Sequence, residues 1–348
     1  MLDDDALYER VDPSGMLAAV EGWPDQWEAA CRATERIASI EGRFESAVVC
    51  GMGGSGIAGD VVRGLLDPAL PIPIRLVRGH EIPGFVGERT FVAALSYSGN
   101  TSETLACFDA AVERGATIVA ITAGGALAER ARAAGAVLYS DLPAGIMPRA
   151  ALPSLVVPLA VAIGRAGVAD TSGLLEMGGQ VVRRSVEAWR REIPAERNLA
   201  KRIATAIGDR FPIVWGSEGT QTVAAMRWKC QLAENAKLPS IMSVLPELGH
   251  NDIVGVHAGH DALRDAILLA LRVEGGHPAQ EARLTAALDI AGRSVGAVEV
   301  VTIESSSPAE RLIESLILAD FVSVYNAVLR GVDPSPIEAI DLLKAAQA

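Results

Sequence analysis

Short apolar runs bounded by polar or glycine-containing turns alternate along this chain with stretches whose apolar positions recur every three or four residues. The first pattern predicts buried strands and the second predicts crossover helices. Strands are expected at 47–50, 74–77, 91–95, 117–121 and 137–139, with helices filling the gaps, notably 56–66 and 101–114. A long helical stretch then runs over 153–191, interrupted near 167–172. After it the pattern starts again. The segment 211–220, FPIVWGSEGT, repeats the strand-then-glycine-loop arrangement of 47–56 and leads into a helix over 220–234. Further strands are expected at 266–271 and 297–303, with a closing helix over 310–329. Strands alternating with helices in this way build a mainly parallel sheet covered on both faces. The expected fold class is α/β, with two tandem three-layer α/β/α domains. The first is expected to span 1–155, and the second, with a helical connector, 156–348.

Composition narrows the partners. A net charge of −12 argues against nucleic acid and against an anionic membrane, since both call for basic patches. The most apolar stretch, 150–164, is broken by Pro153 and Pro158 and is too short to span a bilayer. Cys31, Cys50, Cys107 and Cys230 show no CxxC or metal-like spacing, which fits a reducing compartment. The start, MLDDDALYER, lacks the basic and apolar regions of a signal peptide. A soluble, cytoplasmic protein is expected.

Two loops carry the candidate binding chemistry. The first is Gly51-Met52-Gly53-Gly54-Ser55-Gly56, which follows a strand and opens a helix. That context suits a dinucleotide fingerprint, yet the next strand ends in Arg78 rather than in an acidic residue for ribose hydroxyls. Arg78 suits a 2′-phosphate and keeps a nicotinamide-dependent oxidoreductase as one alternative. The second loop, Ser96-Tyr97-Ser98-Gly99-Asn100-Thr101-Ser102-Glu103-Thr104, also follows an apolar strand and opens a helix. A phosphate monoester can be wrapped on all sides by hydroxyls and helix N-terminal amides. Gly54, Ser55, Ser96, Ser98 and Thr101 supply such a wrapping, without a lysine or arginine in either loop. The structural alternative is that these are caps and turns, with Asn100 and Glu103 forming a capping box.

GMGGSGIAGD and SYSGNTSET resemble the two phosphate loops of the sugar isomerase (SIS) domain. Later segments narrow the resemblance to the bifunctional phosphoglucose/phosphomannose isomerases: PRAAL at 148–152, QLAEN at 231–235, PELGHNDIVG at 246–255, and GVDPSP at 331–336 leading to Leu342-Leu343-Lys344. These segments occur in order over nearly the whole chain. The chain departs from the family pattern in the order of its small residues at 56–59, in Asp252 where glutamate is common, and in Pro153 where glycine is expected.

The resemblance implies tandem SIS-type domains and an aldose–ketose isomerase acting on hexose 6-phosphates. Such a reaction moves a proton between adjacent carbons through an enediol. It needs a base, a group that opens the ring and a cation for oxyanion charge, with no metal or redox cofactor intrinsically required. Glu234 lies near the C-terminal end of its predicted helix, on the flank of an apolar stripe, where the helix dipole and partial desolvation favour a proton acceptor. Taken alone it is equally a surface carboxylate; the resemblance makes it the base. His250, in a loop bounded by Pro and Gly, suits proton traffic to the ring oxygen. Zinc at His250, His257 and His260 is disfavoured by their spacing. The resemblance gives His250 the ring-opening role and implies that it enters the site of a neighbouring subunit in a homodimer. Arg149 would ordinarily form a salt bridge; by resemblance it steadies the enediolate oxygens. Lys344 is placed at the ring oxygen by resemblance, on a last helix that Ile337, Ile340 and Leu343 are expected to dock. A non-catalytic sugar-phosphate-binding regulatory SIS protein is the other alternative.

Overall fold

The computed structural model describes residues 2–67, 70–273 and 276–346. The chain opens with helices α1 (Asp5–Val11), α2 (Met16–Glu21) and α3 (Trp23–Thr34). An alternating run follows: β1 (Ser46–Cys50), α4 (Gly53–Leu66), β2 (Ile74–Val77), β3 (Thr90–Leu95), α5 (Ser102–Glu113), β4 (Thr117–Ile121), α6 (Gly125–Ala134) and β5 (Val137–Tyr139). Helices α7 (Leu152–Arg165), α8 (Leu174–Trp189) and α9 (Leu199–Ile207) come next. The second run comprises β6 (Phe211–Ser217), α10 (Thr220–Glu234), β7 (Ile241–Leu245), α11 (Asp252–Ala258), β8 (Ala266–Val273), α12 (Pro278–Ala291), β9 (Ala297–Ile303), α13 (Pro308–Leu329) and α14 (Glu338–Ala345).

Two compact units result, one of Gly22–Arg183 and one combining the residues up to Glu21 with those from Arg184 onward. The boundary expected at 155 therefore falls inside α7. That helix is apolar on nearly every side and lies against α3 and α4, so the stretch that reads as a connector is core of the first unit. In the second unit, α1 and α2 lie on α13, with Tyr8 edge-on to Tyr325 at 6.2 Å between ring centroids. The Asp12 carboxylate accepts from Met16 N and Leu17 N at 2.8 Å each, capping α2.

The first unit is built on a five-stranded parallel sheet of order β2-β1-β3-β4-β5. One face packs on α5 and α6 through Val48, Val92, Ala94, Ile118, Phe108 and Leu127. The other face meets α4, where Gly59 leaves no room for a Cβ against the Val49 side chain. The second unit has a four-stranded parallel sheet of order β7-β6-β8-β9, with α12 on one face and α10 and α13 on the other side. Both units are thus three-layered around parallel sheets. The chain runs outward from β1 to β2 on one side and from β3 to β4 on the other, and β6 and β8 diverge in the same way. Parallel sheets place their ligand crevices beside such switch points, at the carboxyl ends of the strands.

Helix α13 is long and apolar enough to cross a membrane by length and composition, but it is mostly buried as the central helix of its unit. A row of buried polar groups sets its register against α10. The Arg227 guanidinium donates twice to Asp320, from Nε at 2.8 Å and from an Nη at 2.6 Å. Gln231 Nε2 donates to the same carboxylate at 2.9 Å, and Asn235 Nδ2 donates to Ser323 Oγ at 3.0 Å. All five side chains are buried. A buried pair with its hydrogen bonds satisfied costs little net, but removing one partner strands the other charge. Asp320→Ala is expected to lose about 3–5 kcal/mol of stability in chemical denaturation, and Arg227→Met combined with Asp320→Leu to recover a large part of it.

Candidate active site

The two sequence loops leave the sheet at the carboxyl ends of β1 and β3, on either side of the first unit's switch point. Helix α4 starts at Gly53, three residues before the expected start, so Gly54 and Ser55 lie in its first turn. Its N-cap, Met52, contributes no side-chain hydrogen bond. A Cβ on Gly54 would fall 2.9 Å from Pro148 O and 3.3 Å from Arg149 N. Glycine thereby lets the first turn of α4 close onto the short 3-10 turn Pro148–Ala150, which carries the buried Arg149.

The second loop is tied to the first. Ser55 Oγ accepts from Tyr97 N at 3.2 Å, linking the first turn of α4 to the exit of β3. The Ser96 and Thr101 hydroxyls are hydrogen-bonded at 2.8 Å, and Ser96 Oγ also accepts from Gly99 N at 3.1 Å. Ser98 is exposed, and its Oγ accepts from Asn100 N at 3.3 Å. Gly99 has φ +74°, and a Cβ there would overlap Gly124 O at 1.8 Å, so the turn requires glycine. The capping box does not form. Thr101 is the N-cap of α5 and makes no side-chain hydrogen bond to its first turn, while Asn100 Oδ1 accepts from Ala126 N at 3.1 Å across to α6. Two helix N-termini without side-chain caps therefore stand beside each other, ringed by hydroxyls, an arrangement whose dipoles and amides favour an anion.

Arg78, weighed above for a 2′-phosphate, instead pairs with Asp60 of α4. Burial pushes the Asp60 carboxyl up, and the positive charges of Arg78 and Arg63 oppose that shift.

The second unit holds the other candidates. Glu234 is the last residue of α10 and is half-buried. His250 follows the 3-10 turn Glu247–Gly249, donates its main-chain N–H to Glu247 O at 2.9 Å and is exposed. Asn251 then caps α11 by accepting from Asp252 N at 2.6 Å. His260 Nδ1 accepts from Ala262 N at 3.1 Å, a capping role rather than a shared cluster with His250 and His257. Lys344 falls within α14, but its side chain lies outside the described residues. The docking expected of that helix is not made: Leu342 is 72% and Leu343 62% exposed, and Ile340 is exposed as well.

Sequence reasoning missed Lys237, whose Nζ donates to Glu234 O and, at 3.1 Å, to Pro334 O. It also missed the Arg227–Asp320 pair that fixes α10. The helical spacing of Arg227, Gln231 and Asn235 was the available signal for a polar face turned inward.

Residues 196–346 match the model of the bacterial phospho-glucose isomerase C-terminal SIS domain. The bifunctional phosphoglucose/phosphomannose isomerase of Caldicellulosiruptor bescii is 34% identical over 333 residues, covering 94% of this chain and 98% of that protein. The protein of the same name from Aquifex aeolicus is 32% identical over 330 residues, covering 93% and 96%. Among solved structures, a glucose-6-phosphate isomerase like protein from Thermus thermophilus superimposes with a TM-score of 0.67 at 17% identity, covering 99% of this chain and 98% of that one, which supports the fold. Identity of this extent over nearly the full length of both chains leads to one conclusion: the chain belongs to the family of bifunctional phosphoglucose/phosphomannose isomerases.

Proposed function

We propose that the protein interconverts glucose 6-phosphate and mannose 6-phosphate with fructose 6-phosphate through a cis-enediol, without a metal ion. The observation that carries this reading is the pair of hydroxyl-ringed helix N-termini joined by the Ser55–Tyr97 hydrogen bond. That cradle suits a monoester, which offers acceptor oxygens on all sides. The Gly54 amide and the hydroxyls of Ser55, Ser96, Ser98 and Thr101 hold the phosphate in this reading.

As the C1–O5 bond breaks, His250 delivers a proton to the ring oxygen, the C1 hydroxyl gives its proton to water to become the carbonyl, and Lys344 steadies the charge at the ring oxygen. Glu234 takes the C2 proton of the open aldose, the electron pair forms the C1–C2 double bond, and the carbonyl oxygen becomes an enediolate oxygen. Arg149 supplies the positive charge facing those oxygens. The O2 proton passes to O1, and Glu234 returns its proton to C1 as the C2–O bond becomes the carbonyl, giving the ketose. The glucose and mannose phosphates differ only at C2 and share this enediol, so rotation about C2–C3 lets one base serve both.

The active form in this reading is a homodimer in which His250 serves the neighbouring subunit. Its support is exposure: His250 stands open beside α11, where no residue is buried and Val254 is 65% exposed. The four free cysteines support a reducing, cytoplasmic setting.

Fructose 6-phosphate supplied to the protein is expected to yield both aldose phosphates in coupled assays. Glu234→Gln should lower kcat by about 10²–10⁴-fold while leaving fructose 6-phosphate binding within a few-fold by calorimetry. Binding without turnover in the unaltered protein would instead identify a regulatory sugar-phosphate module.

Hybrid dimers test the exchange of His250. Glu234→Gln and His250→Ala chains are each expected to be inactive alone. Mixed and re-equilibrated, they should regain about a quarter of the original activity, because half of random dimers carry one intact site of two. No recovery, with hybrids demonstrated by mass, would place His250 in its own subunit's site.

A further inference from the structure

Among the described residues, Lys237 is the one non-glycine residue with φ in the left-handed region, at +56°. It sits three residues beyond the end of α10. Helix C-termini commonly pass through this conformation with glycine, or sometimes asparagine, because a Cβ is strained there. A strained residue persists where its surroundings over-determine it. The surroundings of Lys237 supply such a determination. Its half-buried ammonium donates to Glu234 O, the main-chain carbonyl of the proposed base, and to Pro334 O at 3.1 Å.

Both contacts bear on the proposed chemistry. The last carbonyls of a helix have no partner within the helix, and its final turn frays unless they are satisfied. At the end of α10, Leu238 N donates to Leu232 O at 3.1 Å, Arg330 donates to Ala236 O, and Lys237 takes the carbonyl of Glu234 itself. Pro334 belongs to the strap 331–336 that leads into α14 and Lys344. The strap is shaped locally by Ser335 N donating to Asp333 Oδ1 at 2.9 Å. One cation therefore joins the end of the helix bearing Glu234 to the segment that feeds the helix bearing Lys344.

We infer that Lys237 is a positioning residue, which fixes the main chain at Glu234 and the entry to α14 so that Glu234 is held for proton transfer. The inference rests on Glu234 being the base. Lys237 lies outside the phosphate-binding loops, so its loss acts on turnover rather than on affinity.

The test compares Lys237→Asn, Lys237→Cys and Glu234→Gln. Asparagine accepts a positive φ and removes the ammonium, so Lys237→Asn should keep or raise the thermal midpoint. Its kcat is expected to fall by about 10- to 100-fold, the scale of a small misplacement of a reacting group, with KM within about two-fold. Lys237→Cys should show the same loss, and aminoethylation of the thiol, which rebuilds a lysine-like ammonium, should restore most of it. Aminoethylated unaltered protein is the reference, because Cys31 and Cys230 are only half-buried. Undiminished kcat in Lys237→Asn beside an inactive Glu234→Gln overturns the inference, as does a loss of kcat that tracks a fallen midpoint and that aminoethylation does not reverse. Turnover surviving in Glu234→Gln overturns the base assignment, and this inference with it.

Discussion

The hydrogen bond from Tyr97 N to Ser55 Oγ is the contact on which the geometry of the proposed anion cradle depends. It holds the first turn of α4 against the exit of β3, so two helix N-termini serve one place instead of two. The arrangement works only because certain positions lack a Cβ. Gly54 admits the turn bearing Arg149, and Gly99 allows the second loop to pass Gly124. Side-chain caps would neutralise those termini locally, and both are withheld: Met52 makes no capping hydrogen bond, and the hydroxyl of Thr101, the N-cap of α5, is hydrogen-bonded to Ser96. The positive ends of α4 and α5 thereby stay directed outward from the sheet.

The second unit presents the opposite helix end. Glu234 closes α10, where the macrodipole is negative and repels a carboxylate. The proposed use of Glu234 as a base calls for mechanical support and for compensating charge. The Arg227–Asp320–Gln231 network supplies the first by locking the buried face of α10 onto α13. The ammonium of Lys237 at the Glu234 carbonyl supplies the second, and it does so from a strained backbone. The two units thus use the two poles of the α-helix for opposite tasks in the proposed reaction.

Periodicity alone placed β1, β3, β4 and β8 close to their observed bounds because each is an apolar run buried in a parallel sheet, and it placed β5 and the edge strand β9 although these are only partly covered. β7 was not legible. It is an edge strand with Ile241 exposed and Ser243 in its middle, so it has neither a continuous apolar run nor a clean alternation inward. The boundary at 155 misled for the opposite reason, since an unbroken apolar stretch does not say which unit it fills. The capping box failed because local sequence matched the motif while a tertiary partner, Ala126 N, took the Asn100 side chain. Lys237 was invisible because its positive φ is one that sequence would assign to glycine.

The charge balance explains why the proposed cradle is built from hydroxyls and amides. A chain of net charge −12 repels a phosphate at long range, and nothing in either loop is cationic. Only fixed, short-range donors can reverse that repulsion, and helix-terminal amides act within about one turn. Donors of this kind are already oriented before the ligand arrives, so little conformational freedom is lost on binding. They also leave the phosphate end of the sugar anchored without a mobile lysine. Binding energy gathered there, away from the carbons that react, can then serve to position C1 and C2 for proton transfer. In the proposed reaction the loops therefore bear on turnover as well as on affinity, whereas the groups around Glu234 bear on turnover.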